Sequence, residues 1–302
     1  MTAAPGLQEL QPASVTIHDS VDEAFIEQYR RDGFAVLRNA LSAEEIAAVN
    51  QEAVRFCRGE LGAIRNAGDI DPGLSDAELM KKFLCIHYPH KVSDVMRDVL
   101  HAPRVIEAMT GVIGPNVKAM QSMLFIKSEG KPGQAWHQDE HFIPTRDRSL
   151  TAVWIALDDA TVENGCLWVL PGSHKRGVLY PDRETNDVRF DCTNEAYGFP
   201  YSDDQAVPVE IPAGTAIIFN GYLLHRSLEN SGAHGYRRAV ANHYMSAESL
   251  LPWQRMPEGE AAATHDFRDI VMVAGEDPYA YKGTVDITSP LVRPDRSGGC
   301  DR

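Results

Sequence analysis

Near Val117 the spacing of apolar residues changes, and that change divides the chain into two kinds of structure. From there on the sequence runs in short stretches rich in Val, Ile, Leu and aromatic residues: "VKAMQSMLFIK", "LTAVWIALDDA", "GCLWVLPGS", then "VPVEIPAG", "TAIIFNG", "YLLHRSL" and "RRAVANHYM". Gly, Pro or Asn closes most of them, the punctuation of strands that end in turns. Asn164-Gly165 lies between two of these runs and suits a tight hairpin, because both residues accept positive φ. Upstream the pattern is helical. Phe25, Ile26 and Tyr29, followed by "DGFAVL", read as a helix leading into a short strand, and "LSAEEIAAVNQEAVRF" opens with a capping box from Ser42 to Glu45. Ile46, Val49, Ala53, Val54 and Phe56 form the buried stripe of that helix. Two more helices are expected, over Ser93–Leu100 and in "APRVIEAMTGVIG", the latter ended by Gly114 and Pro115. Helices followed by many short strands give a mainly β fold with helical cover, a sandwich or a barrel.

No repeat or linker forces a boundary, so one domain over 1–302 is expected. It comprises a mostly helical part over 1–116, a β core over 117–246 with a polar, aromatic-dotted lid insert at 177–205, and a C-terminal extension over 247–302. Asp and Glu outnumber Lys and Arg 43 to 29, for a formal charge of −14, which repels phosphate backbones and anionic lipid. Nucleic acid and membrane surfaces are therefore poor partners. No stretch approaches the roughly 18 consecutive apolar residues of a membrane helix, and "MTAAPGLQELQPAS" lacks the regions of a signal peptide. Cys57, Cys85, Cys166, Cys192 and Cys300 are widely and irregularly spaced, as free thiols in a reducing cytoplasm would be. The closing Asp301-Arg302 is not a peroxisomal address.

The chemistry concentrates in "AWHQDEHF", Ala135 to Phe142. On a strand, residues i and i+2 share a face, so His137 and Asp139 can reach one ion from the same side while Gln138 points away. They could equally be polar residues on a solvated strand. A third ligand must come from elsewhere, and His225 in "YLLHRS" is the best placed. Two imidazoles and one carboxylate leave coordination positions open, the pattern of non-haem Fe(II) oxygenases. His141 competes locally, but Pro144 and the following "TRDR" suggest that the strand has ended, which makes His141 a lip residue near substrate. Glu140 is expected outside and Phe142 at the cavity mouth.

"AWHQD", "VWIALDDATVENGCLWVLPGSHKRG", "IPAGTAIIFNGYLLHRS" and "GYRRA" occur in that order, preceded by "YRRDGFAVLRNALSAEEI". Together, over Tyr29 to Tyr244, they resemble the phytanoyl-CoA dioxygenase family of Fe(II)- and 2-oxoglutarate-dependent oxygenases. The resemblance implies a double-stranded β-helix, the cupin-like jelly roll, with iron held by His137, Asp139 and His225. It also implies an arginine for the cosubstrate. Position 236, where the family places it, is Tyr here, and Arg237 follows one residue late after a longer turn in "ENSGAHG", with Arg238 in reserve. A guanidinium fork suits the distal carboxylate of 2-oxoglutarate because it donates two parallel hydrogen bonds, and Ser227, on the strand parity of His225, can donate a third. Trp154, Met123 and Lys81 (or Lys82) match positions that line the cosubstrate pocket in a related protein; core packing explains Trp154 and Met123 equally well. His174 reads as a loop-fixing residue. His87 and His90 either border the substrate cavity or cap a loop.

The activity implied is oxidation of an aliphatic C–H bond of a small organic molecule, hydroxylation foremost, with dioxygen consumed and succinate and carbon dioxide released. Halogenation is disfavoured because Asp139 is present, where halogenases of this superfamily leave room for chloride. Two rivals use the same scaffold: a non-catalytic binding protein, and a zinc or manganese cupin-type isomerase or hydrolase. The family name suggests an acyl-CoA substrate, whereas many relatives act on small natural products, and the acidic lid "YPDRETNDVRFDCTNEAYGFPYSDD" favours a polar or cationic one. A monomer and a homodimer both fit.

Overall fold

The computed structural model of the protein describes residues 15–62, 64–67, 71–185, 187–191 and 194–295. The first part carries β1 (Ile17–His18), α1 (Glu23–Asp32), β2 (Phe34–Leu37), α2 (Ala43–Cys57), α3 (Asp76–Met80), β3 (Phe83–His87), α4 (Asp94–Leu100) and α5 (Pro103–Val112). Then come β4 (Val117–Lys127), β5 (Gln134–His137), α6 (Asp139–Phe142), β6 (Thr151–Ala156), β7 (Leu167–Val169), β8 (Asp182–Arg183) and β9 (Glu195–Ala196). The chain closes with β10 (Val207–Val209), β11 (Ala216–Asn220), β12 (His225–Ser227), β13 (Arg237–Ser246), β14 (Val271–Ala274) and β15 (Leu291–Pro294).

Two sheets face each other as a jelly roll. The larger runs β1-β2-β11-β6-β13-β4-β3-β15, with β14 also pairing β4, and the smaller runs β10-β7-β12-β5. Alternation along each strand explains both layers of the core. Met123, Phe125, Ala152, Trp154, Ala156, Ile217, Phe219, Ala239 and Ala241 face inward and meet Cys166, Leu167, Val169 and Leu223 of the smaller sheet and its turns. Their neighbours Leu124, Ile126, Val153, Ile155, Ala216, Ile218 and Val240 face the other way, beneath Phe25, Val49, Phe56, Leu100 and Met109 of the helices. A large sheet buried on both faces reads as continuous apolar runs, which is why those strands show little polar alternation.

The helices start where capping chemistry places them. Ser42 accepts from the Glu45 amide, and the Glu45 carboxylate accepts from the Ser42 amide. Ser93 likewise accepts from the Met96 amide and begins α4. Gly33, at φ +84°, ends α1 and lies against the ring of His174, which a Cβ there would approach to 2.4 Å. His174 thus holds its loop against the end of α1.

Asn164-Gly165 does not close a hairpin. β6 pairs with β11 and β13, while β7 pairs with β10 and β12, so this turn carries the chain from one sheet to the other. Only Gly165 has positive φ, and a Cβ on it would lie 2.5 Å from the Leu228 carbonyl. Asn164 is fully buried, accepting from the Thr161 amide at 2.8 Å and donating to the Asp159 carbonyl at 2.7 Å. The two apolar runs beside the turn each found a stronger partner than the other.

Within 177–205, β8 and β9 pair as a small ribbon. Tyr180, Ala196, Phe199 and Tyr201 of this insert pack on Trp136, Leu170 and Leu224, on the outer face of the smaller sheet.

Candidate metal centre

β12 lies antiparallel to β5 with His225 directly opposite His137, so strand register alone brings the two imidazoles together, ring centroids 4.1 Å apart. Each ring uses Nδ1–H on a backbone carbonyl two residues earlier, His137 on Ala135 at 2.8 Å and His225 on Leu223 at 3.0 Å. That leaves both Nε2 lone pairs free and the rings fixed, the arrangement typical of metal-binding histidines. Phe219 packs against His225 at 4.7 Å between centroids and limits its rotation.

Asp139 joins them differently from the strand expectation. β5 ends at His137, Gln138 is extended, and Asp139 opens the single turn of α6. Its Oδ1 still lies 3.8 Å from Nε2 of His137 and 3.5 Å from Nε2 of His225. Donor atoms about 2.1 Å from a shared centre stand roughly 3–3.6 Å apart at angles of 90–120°, so the set fits one first-row divalent ion with slight closure. All three residues are buried, and their donor atoms lie within 4.8 Å of one another. Burial pushes the His137 imidazole down to about 4, which keeps it in the neutral form a metal requires. Burial alone would raise the Asp139 carboxyl, but His225 and His243 together hold it well below the usual carboxylate range.

Sequence reasoning missed His243. It is buried on β13 and lies 3.1 Å, through Nε2, from Oδ2 of Asp139. The available signal was strand parity, since His243 follows Arg237 by an even number of residues on one long strand.

Beside the metal set lies a cationic cage. Arg237 is 3% exposed, and its Nε and Nη1 have no hydrogen-bond partner among the described residues. Burial brings its guanidinium down to about 10. Arg238 faces the other way, clamped to Asp158 by bonds of 2.8 and 2.6 Å. Arg237 pairs in register with Lys127, whose buried side-chain nitrogen donates to Ser227 Oγ at 3.1 Å; burial first, and then the charge of Arg237, push the Lys127 amine well below the ordinary lysine value. Ser227 also accepts from the Gln134 amide, so its own proton is free to donate. Trp154 lies beneath Arg237, ring centroid 5.2 Å from Cζ, and Met123 is half-buried in the inner cluster. Arg237, Ser227, Lys127, Gln134, Lys131 and Asp191 are among the residues that line a cleft open to solvent on one side. Lys81 and Lys82 are not among them. Both are exposed at the end of α3, whereas Lys127 of β4 stands opposite Arg237 in the sheet.

α6 forms the mouth. Phe142 is 42% exposed, with its ring near those of His137 and His141, and His141 faces Asp182 of the lid at 3.5 Å. Glu140 is not outside. A helical turn rotates it beneath the chain, where it is 2% exposed, its Oε1 accepts from the Thr145 amide and hydroxyl, and burial pushes its carboxyl up to about 7. Gln138 anchors the lid, donating to the Val178 carbonyl and accepting from the Tyr180 amide. His87 faces inward on β3, opposite Met123, while His90 bonds Ser122 in the outer layer. Four of the lid acids pair with arginines: Asp187 with Arg189, Asp191 with Arg293, Glu195 with Arg183 and Asp203 with Arg226.

A rolled pair of sheets with two histidines and one aspartate converging at its interior defines the non-haem iron oxygenases that use 2-oxoglutarate. The family model for phytanoyl-CoA dioxygenase (PhyH) matches residues 29–239, and the chain belongs to that family. A phytanoyl-CoA dioxygenase of Arabidopsis thaliana is 32% identical over 164 residues, which cover 54% of this chain and 56% of that protein. The match thus spans little more than half the length of that curated relative. Among solved structures, the apo form of ThoJ, described as a non-heme monooxygenase, superposes with a TM-score of 0.64 at 22% identity, covering 91% of this chain and 89% of its own. EctD from S. alaskensis, solved with 2-oxoglutarate and 5-hydroxyectoine, gives 0.58 at 23%, covering 77% and 79%. At those identities the likeness is one of fold.

Proposed function

We propose that the chain is an Fe(II)- and 2-oxoglutarate-dependent dioxygenase that hydroxylates, or otherwise oxidises, an aliphatic C–H bond of a small organic substrate. The observation that carries this reading is a buried guanidinium with unpartnered nitrogens in the same interior as a His-Asp-His set. A hydrolytic or isomerising metal site has no need of that guanidinium. Bound iron supplies, with 2-oxoglutarate and dioxygen, the oxidising power, and the keto acid leaves as succinate and carbon dioxide.

The protein's part is placement. His137, Asp139 and His225 hold the ion from one side and leave the other open. Ser227 lies two residues beyond His225 on β12, roughly 6.6 Å along the strand, a span that a five-carbon diacid bridges. Arg237 and Ser227 then donate to the distal carboxylate, and Lys127, bonded to the Ser227 hydroxyl, holds that hydroxyl in place. Trp154 closes the floor under the guanidinium and keeps water from it. Phe142 and His141 stand where the substrate approaches. Because four of the lid acids already pair with arginines of the protein, the acidity of 177–205 is a weak guide to substrate charge, and we assign only a small organic molecule. No helix among the described residues is long and apolar enough to cross a membrane, and Cys57, Cys85 and Cys166 are buried free thiols, so we place the activity in a reducing cytoplasm. Cys192 and Cys300 lie outside the described residues.

The test is metal-free protein reconstituted anaerobically with Fe(II), then given 2-oxoglutarate and air. Iron-dependent release of succinate is expected, and it is lost in His137→Ala, Asp139→Ala and His225→Ala together with tight metal binding. Full turnover by any of these variants in metal-limited buffer, or oxygen-independent chemistry with zinc or manganese, overturns the proposal.

A further inference from the structure

The two oxygens of Asp139 face different partners. Oδ1 looks toward the free nitrogens of His137 and His225, whereas Oδ2 lies 3.1 Å from Nε2 of His243. The imidazoles are held by backbone carbonyls and by the pairing of β5 with β12. Asp139 has no such support. It sits past the end of β5, at the first position of a one-turn helix, where no strand register fixes it. Among the described residues, His243 makes the one side-chain hydrogen bond to its carboxylate. His243 is itself well fixed: it stands in the middle of the large sheet, opposite Ala152 of β6 and Gln121 of β4, and only 6% of it is exposed.

We propose that His243 is a positioning residue for the metal centre: its Nε2–H donates to Oδ2 of Asp139 and confines the carboxylate to coordination through Oδ1 alone. This rests on the reading of His137, Asp139 and His225 as the ligand set. The consequence is a count of positions. A six-coordinate ion held by two nitrogens and one oxygen keeps three positions, two for a chelating keto acid and one more. A carboxylate that turned to bind through both oxygens would take one of the three. The lone pairs of Oδ2 are therefore occupied by a donor from the neighbouring sheet, and the same strand, β13, that presents Arg237 to the cosubstrate also sets the carboxylate.

Binding of Ni(II) to metal-free protein, measured by calorimetry without substrate or turnover, tests this. His243→Leu removes the donor, and the dissociation constant is expected to rise about 10–100-fold, the usual effect of losing a residue that orients a ligand. His243→Gln keeps an N–H at similar reach and is expected to stay within about threefold of the parent. A role in packing alone would not distinguish the two. The thermal midpoints of both metal-free variants are measured alongside, and should the Leu variant not fold, the same comparison is read between His243→Phe and His243→Gln. Equal Ni(II) affinity in the parent and the donor-free variant overturns the proposal, as does equal weakening in the Gln variant. If His137→Ala also kept parental affinity, the ligand set itself would be wrong, so the two failures are distinct.

Discussion

Replacing Arg237 by Leu should move stability and cosubstrate affinity in opposite directions. The guanidinium is charged, 3% exposed and, among the described residues, without partners at Nε and Nη1. Its fall from the ordinary 12.5 to about 10 corresponds to a cost of about 3 kcal/mol for keeping the charge buried in the protein without its anion. Leucine removes that cost and leaves some space, so the metal-free, ligand-free protein should hold its stability or gain about 1–3 kcal/mol. With 2-oxoglutarate the sign reverses. Two charge-assisted hydrogen bonds of about 1.5–3 kcal/mol each disappear, while Ser227 and Lys127 remain, so affinity should fall on the order of 10²–10⁴-fold. Iron affinity should be spared, because Arg237 makes no bond to the three ligands. Urea unfolding of the metal-free protein gives the first quantity, and calorimetric titration of 2-oxoglutarate into Ni(II)-loaded protein gives the second. A variant that loses more than about 1 kcal/mol while binding 2-oxoglutarate within about threefold of the parent would show Arg237 to be a structural prop, and the cage argument would fall.

Two further outcomes test the framework. Burial pushes the His90 imidazole down to about 4, so the native protein stays neutral there while the unfolded chain, near 6.5, takes up a proton. Stability present above pH 6.5 is thus lost as pH falls toward 4, by about 2 kcal/mol between pH 7 and 5 from this residue alone, and His90→Gln should flatten urea midpoints over that interval; an unchanged slope refutes it. Asn164→Ala leaves the Thr161 amide and the Asp159 carbonyl without their buried partner, which should cost about 2–3 kcal/mol by chemical denaturation, and a loss under about 0.5 kcal/mol would refute the bridging role.

What could be read from the chain follows from how local each feature is. The capping box of α2 needs four adjacent residues, and it formed as the spacing required. The switch from helices to strands at Val117 is a matter of period, and β4 begins there. The jelly roll itself was named through resemblance, since a list of strands does not give their order. Errors arose where distant register decides. Asn164-Gly165 has hairpin chemistry, but the partners of β6 and β7 lie in different sheets. Glu140 was placed outside because the strand was extended one turn too far, and a helical step of about 100° replaced the alternation of a strand. Lys127 and His243 are unremarkable in the sequence. They matter because β13 pairs with β4 over its whole length and brings His243 to Asp139 at the start of α6, which no local pattern announces.

The same distinction applies to charge. A formal charge of −14 describes how the protein looks from beyond a Debye length, roughly 8–10 Å, and from there it repels anions. Inside the sheets the effective dielectric is lower and each charge counts for more, so Arg237 outweighs the surface for any group small enough to reach it. Size then sorts the anions. A nucleic acid or a lipid headgroup layer meets only the acidic exterior, whereas a free dicarboxylate is small enough to approach the cleft that Arg237, Ser227 and Lys127 line. An acidic chain can therefore use an anionic cosubstrate without contradiction, and the composition that argues against polyanionic partners is silent about 2-oxoglutarate because it averages over the few residues that decide the matter.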